Sequence, residues 1–207
     1  MKVLMINGSP NKQGSTYTGL CEMQRELHHA GIETELVSIG YDAFIGCNGC
    51  GACVQLGKCV HDDDLVNPCL EKMRAADGLV IGGPVHYAGI NGGFKSFLDR
   101  FFYAGRGDDV FLLKPATTVA SLRRSGGIAA YDGLNHYLSI KGMIIVSATY
   151  WSVIHGNHPD ETIQDLEGMQ IVRNAGRNMA YVLKKLKASP EIKKPTLDKG
   201  NTTNFIR

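Results

Sequence analysis

Residues 2–31 read KVLMINGSPNKQGSTYTGLCEMQRELHHAG. The apolar run at 2–6 predicts a buried strand, and apolar residues at helical spacing over 15–30 predict a helix that ends at Gly31. A strand joined to a helix by a glycine-bearing loop is the repeating unit of α/β domains with a parallel sheet. This stretch therefore indicates that fold class, and the remainder of the chain repeats the unit.

Four further apolar runs predict the other strands, at 33–39, 78–81, 116–122 and 143–147. Helices are expected between them, from the acidic run at 62–64 to about 76, over 91–103, and from Pro159 to about Lys187. The strands are apolar almost throughout, which is typical of a sheet buried on both faces. We therefore expect a doubly wound, three-layer α/β fold with a five-stranded parallel sheet, one domain at 1–186 and a polar, basic tail at 187–207.

Composition and charge exclude several classes of protein. The chain has 207 residues, of which 43% are hydrophobic and 20% charged, and this suits one globular domain. Seven Lys and Arg residues but only two acidic residues fall within 184–207, so the rest of the chain is mildly acidic. It lacks the dense basic face of a nucleic-acid-binding protein. No apolar run reaches the roughly 18 residues of a membrane span and no signal peptide precedes the first strand, so a cytoplasmic protein is expected.

The loop at 7–16 combines glycines with hydroxyl groups just before the first helix. Ligands of doubly wound folds bind at the carboxyl ends of the strands, and a helix N-terminus attracts anions. The spacing fits neither the dinucleotide motif G-x-G-x-x-G nor a Walker A loop, which needs a lysine after its second glycine. A hydroxyl-rich loop suits a single terminal phosphate such as that of FMN, although Ser15 or Thr16 could equally serve only as a helix cap. The candidate phosphate-binding residues are Ser9, Asn11, Gly14, Ser15 and Thr16.

Two more strand-end loops carry features that suit a flat ring. The loop after the third strand has glycines around an aromatic pair, and the loop after the fourth has glycines beside two arginines. Backbone groups of such loops can follow a ring closely, and an arginine can stabilise an anionic reduced flavin or attract a phosphorylated nicotinamide. The alternatives are a turn with two half-buried rings and a pair of solvated arginines. The candidate residues are Pro84, Val85, His86, Tyr87 and Ala88 in the first of these loops, and Ser121, Arg123, Gly126 and Gly127 in the second.

Four of the six cysteines, Cys47, Cys50, Cys53 and Cys59, follow the spacing C-x2-C-x2-C-x5-C. Thiolates at these separations in a glycine-rich loop can converge on one centre, and both iron–sulfur clusters and Zn²⁺ take four such ligands. The same residues could instead be empty ligands of a site that has been lost, or thiols open to oxidation. The other two, Cys21 and Cys69, fall on apolar helix faces and are expected to be core residues.

Three segments carry a resemblance: Gly8-Ser9-Pro10 with Gly14-Ser15-Thr16, Gly83-Pro84-Val85-His86-Tyr87 with Lys95-Ser96-Phe97-Leu98-Asp99-Arg100, and Tyr150-Trp151-Ser152-Val153-Ile154-His155-Gly156. Over about residues 1–185 the sequence resembles the NADPH-dependent FMN reductase family of flavodoxin-like proteins. The resemblance implies a flavodoxin-like fold, noncovalent FMN with its phosphate on the 9–16 loop and its ring against the 84–88 and 121–127 loops, and NAD(P)H as co-substrate. It also implies homodimers or homotetramers in which a neighbouring subunit helps to cover the flavin.

Two details qualify this resemblance. The His86-Tyr87 pair departs from the usual ring loop of the family, so the residue that flanks the ring is left open. The cysteine quartet is similar to that of the iron–sulfur flavoproteins, a branch of the family in which it holds a [4Fe-4S] cluster that passes electrons to FMN.

We therefore expect an FMN-dependent oxidoreductase that moves electrons from NAD(P)H or a reduced carrier to a quinone, a flavin, another small acceptor or a redox protein. A [4Fe-4S] cluster at the quartet would relay electrons singly. The flavin carries the chemistry, so no catalytic acid or base is assigned. The alternative is a noncatalytic FMN carrier or flavin-binding module with a structural Zn²⁺ or an empty cysteine loop.

Overall fold

The computed structural model describes residues 1–197 and residue 203. Its strands are β1 Lys2–Asn7, β2 Glu33–Ser38, β3 Gly78–His86, β4 Gly89–Ile90, β5 Pro115–Leu122, β6 Ile144–Ile145 and β7 Val153–His155. Its helices are α1 Ser15–His29, α2 Cys53–Leu56, α3 Val66–Ala75, α4 Gly92–Ala104, α5 Gly127–Ile140, α6 Pro159–Thr162 and α7 Leu166–Ala188. Within these described residues, no helix has both the length and the apolarity needed to cross a membrane.

The sheet has the strand order β2-β1-β3-β5, with β6 and β7 both on the outer edge of β5. These neighbours are all parallel, whereas the short β4 runs antiparallel to the end of β3. The order reverses between β1 and β3, so the carboxyl ends of these strands open onto the crevice where doubly wound folds bind ligands. The predicted three-layer α/β fold with five parallel strand positions is confirmed.

Strand β1 shows why the strand sequences are apolar throughout. Val3 and Met5 pack with α1 and α7, while Leu4 and Ile6 pack on the other side with α3, α4 and α5. All four side chains are at most 1% exposed. A strand covered by helices on both faces has no polar side to present to solvent, as the sequence pattern predicted.

Strand β3 is longer than the predicted run at 78–81. Gly82, Gly83 and Pro84, which the sequence suggested as a loop, continue in parallel register with β5. The glycines are there because helices approach the strand closely: a Cβ on Gly82 would lie 2.9 Å from Leu20, and one on Gly83 would lie 2.9 Å from Phe94. The exposed loop therefore begins only at the end of β3.

The fifth strand position differs from the predicted single strand at 143–147. There, β6 pairs with the start of β5, and β7 takes up the same edge beside the end of β5. The chain leaves the edge after Val146, whose N–H donates to Ala116 at 2.8 Å, and returns at Ser152, whose carbonyl accepts from Ala120 at 2.9 Å. This excursion brings the segment after β7 next to the start of α1.

The predicted long helix from Pro159 is two helices, α6 and α7. Asp165 separates them, because its carboxylate accepts from the backbone N–H of Gly168 at 2.9 Å and so caps α7. The same carboxylate accepts from the N–H of His155 at 2.7 Å, which ties the helix to the end of β7. Beyond α7, Lys194 donates to the Leu112 carbonyl at 3.1 Å, and the part of the predicted tail at 198–202 and 204–207 lies outside the described residues.

Replacing Asp165 by Ala is expected to lower the free energy of unfolding by about 1–2 kcal/mol, because a helix cap is lost and two backbone N–H groups lose their acceptor. Asp165→Asn keeps an oxygen for the N–H of Gly168 but places an NH2 group opposite the N–H of His155, so it is expected to retain only the cap and to lose about half as much. Urea unfolding followed by circular dichroism measures both variants. Equal stability of Asp165→Ala and the wild type would contradict this role of the carboxylate.

Candidate functional site

A cavity of about 210 Å³ lies at the carboxyl ends of β1, β3 and β5. It brings together residues of all three predicted loops, together with two residues that follow β7. Gly156 and Asn157 were not among the predicted site residues, because only the return of β7 to the sheet edge carries them there. The lining residues are Ser9, Asn11, Gly14, Ser15, Thr16, Pro84, Val85, Ser121, Leu122, Arg123, Gly156 and Asn157.

The loop at 7–16 is shaped by its own polar side chains. Asn7, which is fully buried, accepts from the N–H of Ser9 at 3.0 Å and donates to the Lys12 carbonyl at 3.2 Å. The Ser9 hydroxyl in turn accepts from the N–H of Asn11 at 3.1 Å. Short side chains that bind the backbone two residues ahead fix a loop of this kind locally. Asn7 was not among the predicted site residues, although an Asn directly after a buried strand was the available signal.

The start of α1 has no side-chain cap. Gly14 occupies the N-cap position, so the alternative in which Ser15 or Thr16 caps the helix is wrong. The Ser15 hydroxyl instead donates to the Gly156 carbonyl at 3.1 Å, and the Thr16 and Ser121 hydroxyls lie 2.6 Å apart. The first N–H groups of a helix need an acceptor, and an anion is well suited to that place.

The tip of the β3–β4 hairpin is exposed. Tyr87 is 97% exposed and has a φ of +58°, a left-handed conformation that costs a residue other than glycine about 1 kcal/mol or more. His86 and Ala88 are also exposed, and the His86 and Tyr87 rings meet edge to face with centroids 5.4 Å apart. The alternative of two half-buried rings is therefore wrong. These three residues form the hairpin tip and do not line the cavity.

The remaining ring candidates face an adjoining cleft of about 430 Å³. Gly126 and Gly127 line it, and Leu122 lines both this cleft and the cavity at the strand ends. Tyr150 and Trp151 form its aromatic side, with ring centroids 5.0 Å apart. The structure thus divides the predicted ring-binding residues among the cavity, this cleft and the exposed hairpin tip.

All four quartet cysteines line one small cavity of about 20 Å³. The fold holds two of them: Cys53 is 6% exposed, and the backbone of Cys59 exchanges hydrogen bonds of 2.8 and 2.9 Å with the Asn67 side chain. Cys47 and Cys50 are exposed. Across residues 1–197 and 203, no three Cys, His, Asp or Glu side chains stand in a metal-ligating arrangement. The quartet therefore shares a cavity without being drawn into a coordination sphere.

Arg100 of α4 lines the same cavity and is 2% exposed. Burial disfavours its cation, but hydrogen bonds to Asp64 and Cys59 outweigh that effect and raise the pKa of the guanidinium. Asp64, predicted only as part of a helix start, thus pairs with Arg100 and also accepts from the N–H of Val66 at 3.0 Å. Positions 97, 100, 101 and 104 share a helical stripe, so the sequence did hold a signal that this arginine is buried.

Four other residues named above, Lys95, Asp99, Cys69 and Cys21, lie outside these cavities. Lys95 and Asp99 form a surface ion pair, and the Tyr137 hydroxyl donates to the same carboxylate. Cys69 is fully buried in the core, and burial raises the pKa of its thiol to about 12. Cys21 is only partly buried, on α1, where burial raises the pKa of its thiol as well.

Residues 1–158 match the family model described as NADPH-dependent FMN reductase. The chain belongs to this family. It is 32% identical over 196 residues to an iron–sulfur flavoprotein of Methanocaldococcus jannaschii, a match that covers 90% of this chain and 100% of the relative. It is 31% identical over 188 residues to an iron–sulfur flavoprotein of Methanosarcina thermophila, covering 88% and 95%. A solved flavodoxin from the Archaea is similar in fold, with a TM-score of 0.60 at 14% identity, over 89% of this chain and 99% of the flavodoxin.

The family assignment confirms the resemblance and the flavodoxin-like fold predicted from the sequence. It also places this chain among FMN-dependent oxidoreductases. The donor set of the cavity at the strand ends fits FMN, because hydroxyl groups and an uncapped helix start lie at one end and the exposed hairpin tip borders the other.

The chemistry of the cysteine cavity of this FMN reductase family member fits a metal–sulfur group. Four cysteines line one space, and the guanidinium of Arg100 donates to the sulfur of one of them, Cys59. His61 also lines the cavity, and its Nε2 is buried without a hydrogen-bond partner among the described residues. A buried polar atom without a partner is uncommon in proteins, so this nitrogen is available to a group bound in the cavity.

Proposed function

We propose that this chain is an FMN-dependent oxidoreductase that takes electrons from NAD(P)H or a reduced carrier and passes them to a quinone, a flavin, another small acceptor or a redox protein. The observation that carries the proposal is the cavity at the ends of β1, β3 and β5, with its uncapped helix start. FMN bound there supplies hydride and one-electron chemistry. The protein supplies binding and orientation.

In this proposal the loop at 7–16 binds the phosphate. The first N–H groups of α1 offer donors that no cap satisfies. Ser9, Ser15 and Thr16 line the same space with hydroxyl groups, of which that of Ser15 would leave the Gly156 carbonyl to donate to the phosphate. The bond between the Thr16 and Ser121 hydroxyls ties this loop to the end of β5, so the phosphate and ring ends of the site are held at a fixed separation. Asn11 and Gly14 complete the loop around the phosphate.

The ring then lies against residues 84–88 and 121–127. Tyr87 at the hairpin tip presents an exposed aromatic face for stacking, and Pro84 and Val85 form the wall of the cavity below it. Arg123 lines the cavity and places a positive charge where it stabilises a reduced, anionic ring. The exposure of Tyr87 also supports a homodimer or homotetramer in which a second copy covers this side.

We further propose that Cys47, Cys50, Cys53 and Cys59 hold a [4Fe-4S] cluster. The shared cavity, the arginine against Cys59 and the unpartnered His61 nitrogen support this assignment. The name of the M. jannaschii relative agrees with it. The exposure of Cys47 and Cys50 favours a second candidate, a noncatalytic FMN carrier whose cysteine loop is empty or holds Zn²⁺.

The visible spectrum of protein purified without oxygen, with FMN, iron, sulfide and zinc assayed on the same sample, tests these proposals. We expect about one FMN per chain and equal amounts of iron and sulfide. Flavin without iron or sulfide would contradict the cluster, and zinc in its place would support the second candidate. Absence of flavin, even after FMN is added, would overturn the oxidoreductase proposal. Sustained NAD(P)H oxidation with a quinone distinguishes a reductase from a carrier.

A further inference from the structure

Arg100 is buried, which is uncommon for an arginine, and its guanidinium contacts the cysteine loop at several points. Its Nε–H donates to the Cys59 sulfur at 3.2 Å, and its Nη2 donates to the His61 carbonyl at 2.9 Å. Its Nη1 pairs with the Asp64 carboxylate and lies 3.5 Å from the Ile45 carbonyl. One guanidinium from α4 therefore joins both ends of the cysteine loop and the acidic segment after it.

The acceptor of the Arg100 Nε–H group is more informative about the cysteine cavity than the ion pair with Asp64. Asp64 takes one edge of the guanidinium, and the buried Nε–H is left to a sulfur atom, which is a weak acceptor when it is a neutral thiol. A buried cation is costly unless negative charge and hydrogen bonds compensate it. The thiolate of a metal-bound cysteine supplies that charge, whereas a neutral thiol does not.

We propose that Arg100 is a positioning residue that holds Cys59 and raises the reduction potential of the cluster bound by the quartet, with Asp64 opposing it. This inference rests on the proposed cluster function. Hydrogen bonds to the sulfurs, net charge and solvent exposure set the potentials of iron–sulfur clusters. Reduction adds one electron, so a nearby positive charge stabilises the reduced form and a nearby negative charge destabilises it.

The two partners therefore act in opposite directions. Arg100→Gln removes the positive charge and is expected to shift the equilibrium about tenfold toward the oxidised cluster, which for a one-electron couple equals a fall of about 59 mV in midpoint potential. Asp64→Asn leaves the arginine uncompensated and is expected to shift the same equilibrium toward the reduced form. Arg100→Lys keeps the charge but loses the planar fork, so we expect less than half the shift of Arg100→Gln.

A redox titration of the cluster in each holoprotein, followed by electron paramagnetic resonance, measures these midpoints without reference to turnover. Arg177→Gln is the matched control, because it breaks an exposed ion pair with Glu26 between α7 and α1. It is expected to leave the midpoint unchanged. FMN content is measured in every sample, and since neither Arg100 nor Asp64 lines the flavin cavity, it is expected to equal that of the wild type.

Opposite shifts for Arg100→Gln and Asp64→Asn support the inference, since a residue that only stabilised the fold would not move a midpoint in two directions. Shifts of the same sign, or none, overturn it. If Arg100→Gln fails to assemble a cluster, the other two variants decide whether the inference holds. A higher midpoint potential in Asp64→Asn and a slightly lower one in Arg100→Lys support it, and any other pair of results overturns it. Loss of the cluster from all three variants overturns the proposed effect on the reduction potential, because it shows that Arg100 and Asp64 are needed to assemble the cluster. A wild-type protein without iron and sulfide refutes the proposed cluster itself, before any variant is compared.

Discussion

Replacing Ser15 by Asp is expected to weaken FMN binding by about 100-fold or more. Ser15 lies at the first position of α1 and lines the cavity at the strand ends, so the new carboxylate would stand where the phosphate is proposed to bind. Two unit charges about 4 Å apart repel by about 4 kcal/mol at an effective dielectric constant of about 20, or about a thousandfold in affinity. Solvent at this partly open loop screens the repulsion, so the expected loss of FMN affinity is about 100-fold rather than about a thousandfold.

The same substitution removes the hydrogen bond from the Ser15 hydroxyl to the Gly156 carbonyl, but this loss is expected to be offset at the start of α1. The first turn of α1 holds no acidic residue, and a carboxylate there interacts favourably with the helix dipole. Loss of affinity with unchanged thermal unfolding of the FMN-free protein would therefore report on the phosphate and not on folding. The neutral Ser15→Asn variant is the matched control, with an expected loss below about tenfold. Quenching of FMN fluorescence measures both, and an unchanged affinity for Ser15→Asp would place the phosphate elsewhere.

Replacing Cys59 by Ser is expected to reduce cluster iron to below a tenth of the wild-type content. A serine hydroxyl stays protonated where a thiol ionises, and thiolates are the ligands that iron–sulfur clusters require. Asn67 binds the backbone of Cys59 and fixes this position in the cavity, so the serine is expected to stand where the thiol did. FMN content is expected to stay at the wild-type level, because Cys59 does not line the flavin cavity.

Cys21→Ser provides the control for this loss. Cys21 is a partly buried cysteine of α1 that lies outside the cysteine cavity, and its variant is expected to keep its full iron and sulfide. Iron and sulfide are assayed in protein purified without oxygen, together with the absorbance of the cluster. Wild-type iron in Cys59→Ser would show that the quartet is not the ligand set. Equal iron losses in both variants would point to a general effect of removing a thiol.

Much of the fold was predictable because the deciding signals are local. The apolar run of β1 and the helical spacing of α1 lie within one short stretch, and their bounds were predicted to within about one residue. Strand β3 was predicted too short because Gly82 and Gly83 look like a loop. These positions are glycine because Leu20 and Phe94, which come from other segments of the chain, lie too close for a side chain.

The candidate site shows the same division between local and distant signals. The loops after β1, β3 and β5 were predicted from residue types within a few positions of one another, and the structure brings most of those residues to one cavity. Gly156 and Asn157 were missed because they reach it through the broken fifth strand position. The role of Arg100 was missed because its partner Asp64 is 36 residues earlier in the chain.

The broken fifth strand position also governs how copies of this chain can meet. Along that edge of the sheet, β6 has two residues and β7 has three, too few to template a strand from another molecule. The opposite edge is β2, which carries Glu33 and Glu35, and Glu35 is bound by Lys2 and Lys72. Interrupted on one side and charged on the other, the sheet resists growth by edge-to-edge pairing. Contacts between copies of this chain are therefore expected to use the surfaces of its helices and loops rather than the edges of its sheet.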